Sequence, residues 1–215
     1  MRPLTAECFG TFLIVIAFGF SSSALAPALL ITVLVYITVH ISGSHFNPVV
    51  SLAFWSAGVL STRSLLLYAA AQWTGAVLAA FLVTGISGIA PQAVPPATAG
   101  PLQYTLFELL FGLLLGLIYL SLFLSRKWRG SNIAGLVIGI GYAALLTLGE
   151  PLSGAILNPA LAVGSVMADL WNHGSSWQSL PSFLLAPLLG GLASSHLFRY
   201  WNQQPGHSLQ EEAET

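Results

Sequence analysis

One short pattern occurs twice, 111 residues apart. It reads Ser42-Gly43-Ser44-His45-Phe46-Asn47-Pro48-Val49 in the first half and Ser153-Gly154-Ala155-Ile156-Leu157-Asn158-Pro159-Ala160 in the second. Each copy is Ser-Gly, three variable residues, then Asn-Pro and a small apolar residue. Asn is among the preferred helix N-caps. Pro suits the first helical position, where its missing N–H costs no intrahelical bond. Both pairs therefore predict helix starts. The apolar segments that follow, 47–57 and 158–168, are too short to cross a bilayer. At a rise of ~1.5 Å per residue each spans about 16 Å, roughly half a hydrocarbon core.

The rest of the chain supplies the membrane. It is 55% apolar and 6% charged, where a soluble domain carries about 25% charged residues. Apolar runs at 4–23, 27–41, 64–88, 102–124, 132–149 and 180–198 approach the ~20 residues a crossing helix needs. Residues 4–41 are too long for one crossing, and Ser21-Ser22-Ser23 with Pro27 supplies the break. A cleavable signal peptide is the competing reading of Arg2, the first apolar run and Ala24-Leu25-Ala26. Glu7 lies where the core of such a signal should be apolar, which argues for a resident helix. The single Cys8 excludes an intrachain disulfide, and a net charge of −1 points away from nucleic acid.

The basic residues are Arg2, Arg63, Arg126, Lys127, Arg129 and Arg199. Six crossings place all of them on one side. The opposite connections, near 24–26, 89–101 and 150–179, contain no Lys or Arg. By the positive-inside rule the basic side, both termini and a polar, disordered tail at 202–215 are expected in the cytoplasm. The chain is expected to be a multi-pass protein of a cell (inner or plasma) membrane.

The expected organisation is a single channel domain, 1–201, made of two halves at about 1–88 and 102–201. A linker holding Pro91, Pro95, Pro96, Gly100 and Pro101 joins them. Glu7 in the first helix of one half corresponds to Glu108 in the other. Ala71-Gln72-Trp73-Thr74-Gly75 corresponds to Ala186-Pro187-Leu188-Leu189-Gly190. Three crossings per half is an odd number, so the second half enters from the opposite side. The two Asn-Pro helices then dip in from opposite faces and meet near the midplane, N-terminus to N-terminus.

This arrangement implies a mechanism. Each Asn side-chain oxygen caps its own helix, leaving its NH₂ as a donor toward the pore. Two such donors hold one water oxygen and break a proton-hopping chain. Each helix start also carries about +0.5 charge. A cation ~4 Å from both, at an effective dielectric near 20, is opposed by roughly 4 kcal/mol. Irregular backbone at membrane depth must face protein or a water-filled cavity. The carbonyls of Gly43, Ser44 and His45, and of Gly154, Ala155 and Ile156, are therefore candidate acceptors along the pore.

These residues resemble the aquaporin, or major intrinsic protein, family over about residues 4–200. The resemblance rests on Ala6-Glu7-Cys8-Phe9-Gly10-Thr11-Phe12, the two Asn-Pro motifs, Gln72 before Gly75, Glu108, and Pro187 before Gly190-Gly191. It implies an all-α, right-handed bundle of six tilted helices plus two re-entrant half-helices, a pore in every monomer and a homotetramer. It also implies that Glu7 and Glu108 hold the loop backbones from behind. The departures are specific. The first motif ends in Val49 rather than Ala. Leu161 stands where the family usually carries the filter Arg, and Ala162 replaces the Asp of polyol channels. The other filter positions map near Pro27, Leu146 and Ala155. The expected filter is apolar, with strict water selectivity lost and glycerol-like polyols, ammonia, dissolved gases or metalloid hydroxides as additional solutes.

No nucleophile–base pair, metal cluster, phosphate loop or cofactor site is visible, so no enzyme is expected. A secondary transporter also uses inverted repeats with broken helices, but few charged groups here can bind a coupling ion. A non-conducting structural membrane protein is the remaining alternative. His45 is equally consistent with side-chain packing and with pore contact.

Overall fold

The computed structural model describes residues 1–202. Six helices are long and apolar enough to cross a membrane: α1 (Arg2–Phe20), α2 (Leu25–Ser42), α4 (Thr62–Ser87), α5 (Pro101–Leu124), α6 (Ala134–Ser153) and α8 (Leu180–Asn202). Two shorter helices, α3 (Pro48–Ser56) and α7 (Pro159–Trp171), lie between them, and a 3₁₀ turn at Ser176–Gln178 precedes α8. The tail expected at 202–215 lies, beyond Asn202, outside the described residues.

Several boundaries differ from the apolar runs. α2 begins at Leu25 and takes Pro27 into its first turn, where proline removes no needed donor. α6 continues through Pro151 to Ser153, past the expected end at 149. α7 runs three residues beyond 168, to Trp171. The α4–α5 connection is also more than a surface link. Ala90 and Ala93 are buried in an apolar cluster with Ile156, Leu161 and Phe183.

The halves dock by the same device. A Cβ on Gly75 of α4 would collide with the Cys8 carbonyl of α1, and one on Gly190 of α8 with the Leu109 carbonyl of α5. Cys8 follows Glu7 and Leu109 follows Glu108, so the same glycine contact recurs in each half. It draws α1 against α4 and α5 against α8, and each glutamate ends up inside the bundle. α1 is thus a packed member of the bundle, with Glu7 in its core.

Less than half of each crossing helix is buried within the protein. The outward faces are apolar, for example Leu66, Leu78, Ile86, Leu114, Ile140, Leu148 and Leu185. Such faces suit lipid, where there is no water to repel them.

Candidate pore centre and outer vestibule

The two re-entrant loops have the same backbone. Gly43, Ser44 and Phe46 have φ of 82°, 55° and 51°, and Gly154, Ala155 and Leu157 have 83°, 50° and 53°. Four of these six are not glycine, and each left-handed residue with a Cβ costs roughly 1–2 kcal/mol. Such strain persists only where surroundings impose it, and the buried glutamates do so. Glu7 Oε1 accepts from Ser42 Oγ (2.6 Å) and the His45 amide (2.9 Å). Its Oε2 accepts from the Phe46 amide (2.6 Å) and Gln72 Nε2 (2.9 Å). Glu108 Oε1 accepts from Ser153 Oγ (2.8 Å) and the Ile156 amide (3.1 Å), and its Oε2 from the Leu157 amide (2.9 Å). Both residues are fully buried. Every partner is a neutral donor, so the loops are fixed without a counter-charge.

Asn47 and Asn158 sit at the loop ends in extended backbone and start α3 and α7. Asn47 Oδ1 accepts from the Val49 amide (2.9 Å) and Asn158 Oδ1 from the Ala160 amide (3.0 Å). The sequence expectation left both hydrogens of each NH₂ for the pore, but one of each pair is engaged by the opposite loop. Asn47 Nδ2 donates to the Leu157 carbonyl (2.9 Å), and Asn158 Nδ2 to the Phe46 carbonyl (3.0 Å). Each Asn thus bonds the loop of the opposite half, and the reciprocal pair locks the half-helices nose to nose. One N–H of each amide remains for the pore. Pro48 and Pro159 occupy the first helical positions, and Val49 and Ala160 follow them, all buried.

The expected carbonyl acceptors divide. The Ser44 carbonyl accepts from the Tyr119 hydroxyl at 3.3 Å. Among the described residues, no protein donor meets the carbonyls of Gly43, His45, Gly154, Ala155 or Ile156. His45 packs its ring on Phe54 and Tyr68, with centroids 4.6 and 5.4 Å away, and its Nδ1 lies 3.1 Å from Ser51 Oγ. It also lines the space beside the two asparagines. Packing and pore contact, open alternatives from the sequence, coexist.

A cavity of about 580 Å³ opens on the face opposite the basic residues. It is lined by Pro27, Leu146, Ala155, Gly154, Glu150 and the Ser21–Ser23 turn, among others. Three of the expected filter positions thus share one vestibule. Leu161 is not on this lining. It is 2% exposed and packs with Val15, Ala76, Ile156 and Phe183. An aliphatic side chain gains more from that cluster than from a wet vestibule.

Sequence reasoning missed the centre itself. Ile14, Ile31, Val50, Tyr119 and Tyr142 surround Asn47 and Asn158 there. The repeat held one signal: Ile31 and Tyr142 each precede the Ser of a Ser-Gly pair by 11 residues. They are therefore equivalent positions of the two halves.

Two half-crossing helices joined tip to tip inside six crossing helices define an inverted-repeat membrane pore. The chain belongs to the major intrinsic protein family, whose model matches residues 9–198. Its members are channels of multi-pass membrane proteins, not enzymes. A probable aquaporin AqpM of Archaeoglobus fulgidus is 31% identical over 183 residues, covering 82% of this chain and 74% of that protein. Nodulin-26 of Glycine max is 29% identical, over 92% of this chain and 77% of its own length. The aquaglyceroporin from Plasmodium falciparum has the same fold, with a TM-score of 0.79 at 20% identity, covering 92% of this chain and 94% of that one.

Proposed function

We propose that this chain is a passive channel for water and small neutral solutes, among them glycerol-like polyols, ammonia and metalloid hydroxides. The observation that carries the reading is the reciprocal Asn47–Leu157 and Asn158–Phe46 bonding. It holds two helix N-termini and two spare amide hydrogens at one point of the bundle. Positive helix ends repel cations, and a water oxygen held between two donors cannot relay a proton. Neutral solutes meet neither barrier. Glu7 and Glu108 hold the loops, and the unpartnered loop carbonyls accept from passing solutes.

The vestibule lined by Pro27, Leu146 and Ala155 acts as the outer filter. With Leu161 turned into the core it carries no fixed cation, which favours polyols and hydroxides over strict water selectivity. The basic side faces the cytoplasm, supported by the charge asymmetry of the connections, and the chain works as a homotetramer in a cell membrane. Stopped-flow light scattering on proteoliposomes under water and glycerol gradients tests the reading. Flux above protein-free vesicles is expected. The reading fails if purified protein passes water, glycerol and ammonia no faster than bare lipid.

A further inference from the structure

The centre of this pore is filled. Tyr142, on α6, is 5% exposed and stands opposite Asn47 and Asn158, with Tyr119, Ile14, Ile31 and Val50 completing the wall. The space between them does not admit a water-sized sphere. Tyr142 lines this space together with Asn47 and Asn158. Each amide has already given one hydrogen to the opposite loop.

The position of the ring is set by the backbone. Gly135 and Gly139 seat α6 against Tyr36, Thr32 and Ala28 of α2, with no room for a Cβ at either. Tyr142 lies one turn beyond Gly139. Its equivalent in the other half, Ile31, lines the same space and has no polar group. The two halves thus place an aliphatic side chain and a phenol against one passage, and the phenol is the bulkier of the two.

Resting on the channel reading above, we propose that Tyr142 is the specificity-determining residue of this pore. Its ring narrows the passage beside Asn47 and Asn158 to less than the width of a water molecule. Any neutral solute crosses only when the ring moves aside. The rate-limiting barrier is then at the centre, and the 580 Å³ vestibule only preselects.

The test is stopped-flow water and glycerol flux through proteoliposomes of wild type, Tyr142→Ile, Tyr142→Ala and Tyr142→Phe. Leu148→Ala, on the outward face of the same helix, is the control. Size-exclusion profiles verify that each variant is intact, and the two small replacements guard against one failing to fold. Wild type is expected to conduct slowly but above bare lipid. Tyr142→Ile or Tyr142→Ala raises water flux by ~10-fold or more, about 1.4 kcal/mol off the barrier, and raises glycerol flux with it. Tyr142→Phe, which keeps the ring, gives a smaller rise, and Leu148→Ala none. Conducting wild type with unchanged flux in intact Tyr142→Ile and Tyr142→Ala overturns the proposal and leaves the channel reading standing. A rise in Tyr142→Phe as large as in Tyr142→Ile overturns the assignment to the ring. No flux of any solute through any variant overturns the channel reading and this proposal together.

Discussion

The two halves share a backbone and differ in what stands behind it. Behind the first loop lies a polar chain: Glu7 to Gln72, Gln72 Nε2 to Ser51 Oγ at 3.0 Å, and Ser51 to His45. Thr11 Oγ1 adds a bond to the Phe46 carbonyl (3.1 Å), and Thr38 meets Ser44 Oγ at 2.7 Å. Behind the second loop the equivalent positions are Glu108, Pro187, Ala162, Ile156, Gly112, Gly149 and Ala155. Only the glutamate and its loop bonds remain. The left-handed turns are nevertheless reproduced to within a few degrees. The glutamate, the Ser-Gly turn and the docking glycine therefore suffice for the loop. The additional polar groups of the first half are free to serve another end, such as the wall of the pore on His45's side.

The comparison can be broken most severely at the glutamates. Glu7→Leu orphans four donors and Glu108→Leu three. At ~1 kcal/mol for each orphaned donor, the expected losses are about 4 and 3 kcal/mol. Thermal unfolding in detergent should place Glu7→Leu lower, and the reverse order would show that the polar chain adds nothing to the first loop.

Next come the docking glycines. Gly75→Ala and Gly190→Ala each force a methyl into a backbone carbonyl of the facing helix, at roughly 1–3 kcal/mol from overpacking. Equal losses by the same unfolding assay are expected, because the contact is the same in both halves. Gln72→Leu should act on the first half alone. It removes two bonds and one buried oxygen, Oε1, that has no partner among the described residues. The net cost is about 1 kcal/mol.

The smallest effect is at the half-helix ends. Arg199 Nη2 donates to the Ser56 carbonyl at the end of α3 (2.7 Å), whereas α7 ends at Trp171 with no basic residue in its last turn. Arg199→Ala should cost about 0.5–1 kcal/mol, the scale of a cation at a helix C-terminus. A cost near zero would mean that α3 needs this cap no more than α7 does.

Much of this was legible because the motif is duplicated. Asn-Pro marks a helix start by local chemistry alone, and a segment too short to cross has few places to go. The crossing helices followed from length and apolarity, although their ends at Leu25 and Ser153, like the end of the half-helix α7 at Trp171, were set by capping and by packing against neighbours. The centre was less legible. Tyr142 looks like any aromatic in an apolar helix, and only the fold brings it to the asparagines. The crossed amide bonds also needed three dimensions, since 110 and 112 residues separate their partners. Leu161 was found by its position in the motif, but whether that side chain faces the vestibule or the core is decided by its packing in the apolar cluster with Val15, Ala76 and Phe183.

The central claim is that two crossed asparagines at two helix N-termini pass neutral solutes and stop charge. Proteoliposomes loaded with a pH-sensitive dye and held at a potassium diffusion potential test it directly, with water or glycerol flux measured on the same vesicles. The account predicts neutral-solute flux above bare lipid, with proton and potassium leak equal to that of bare lipid. A proton or potassium leak that scales with protein content would contradict it.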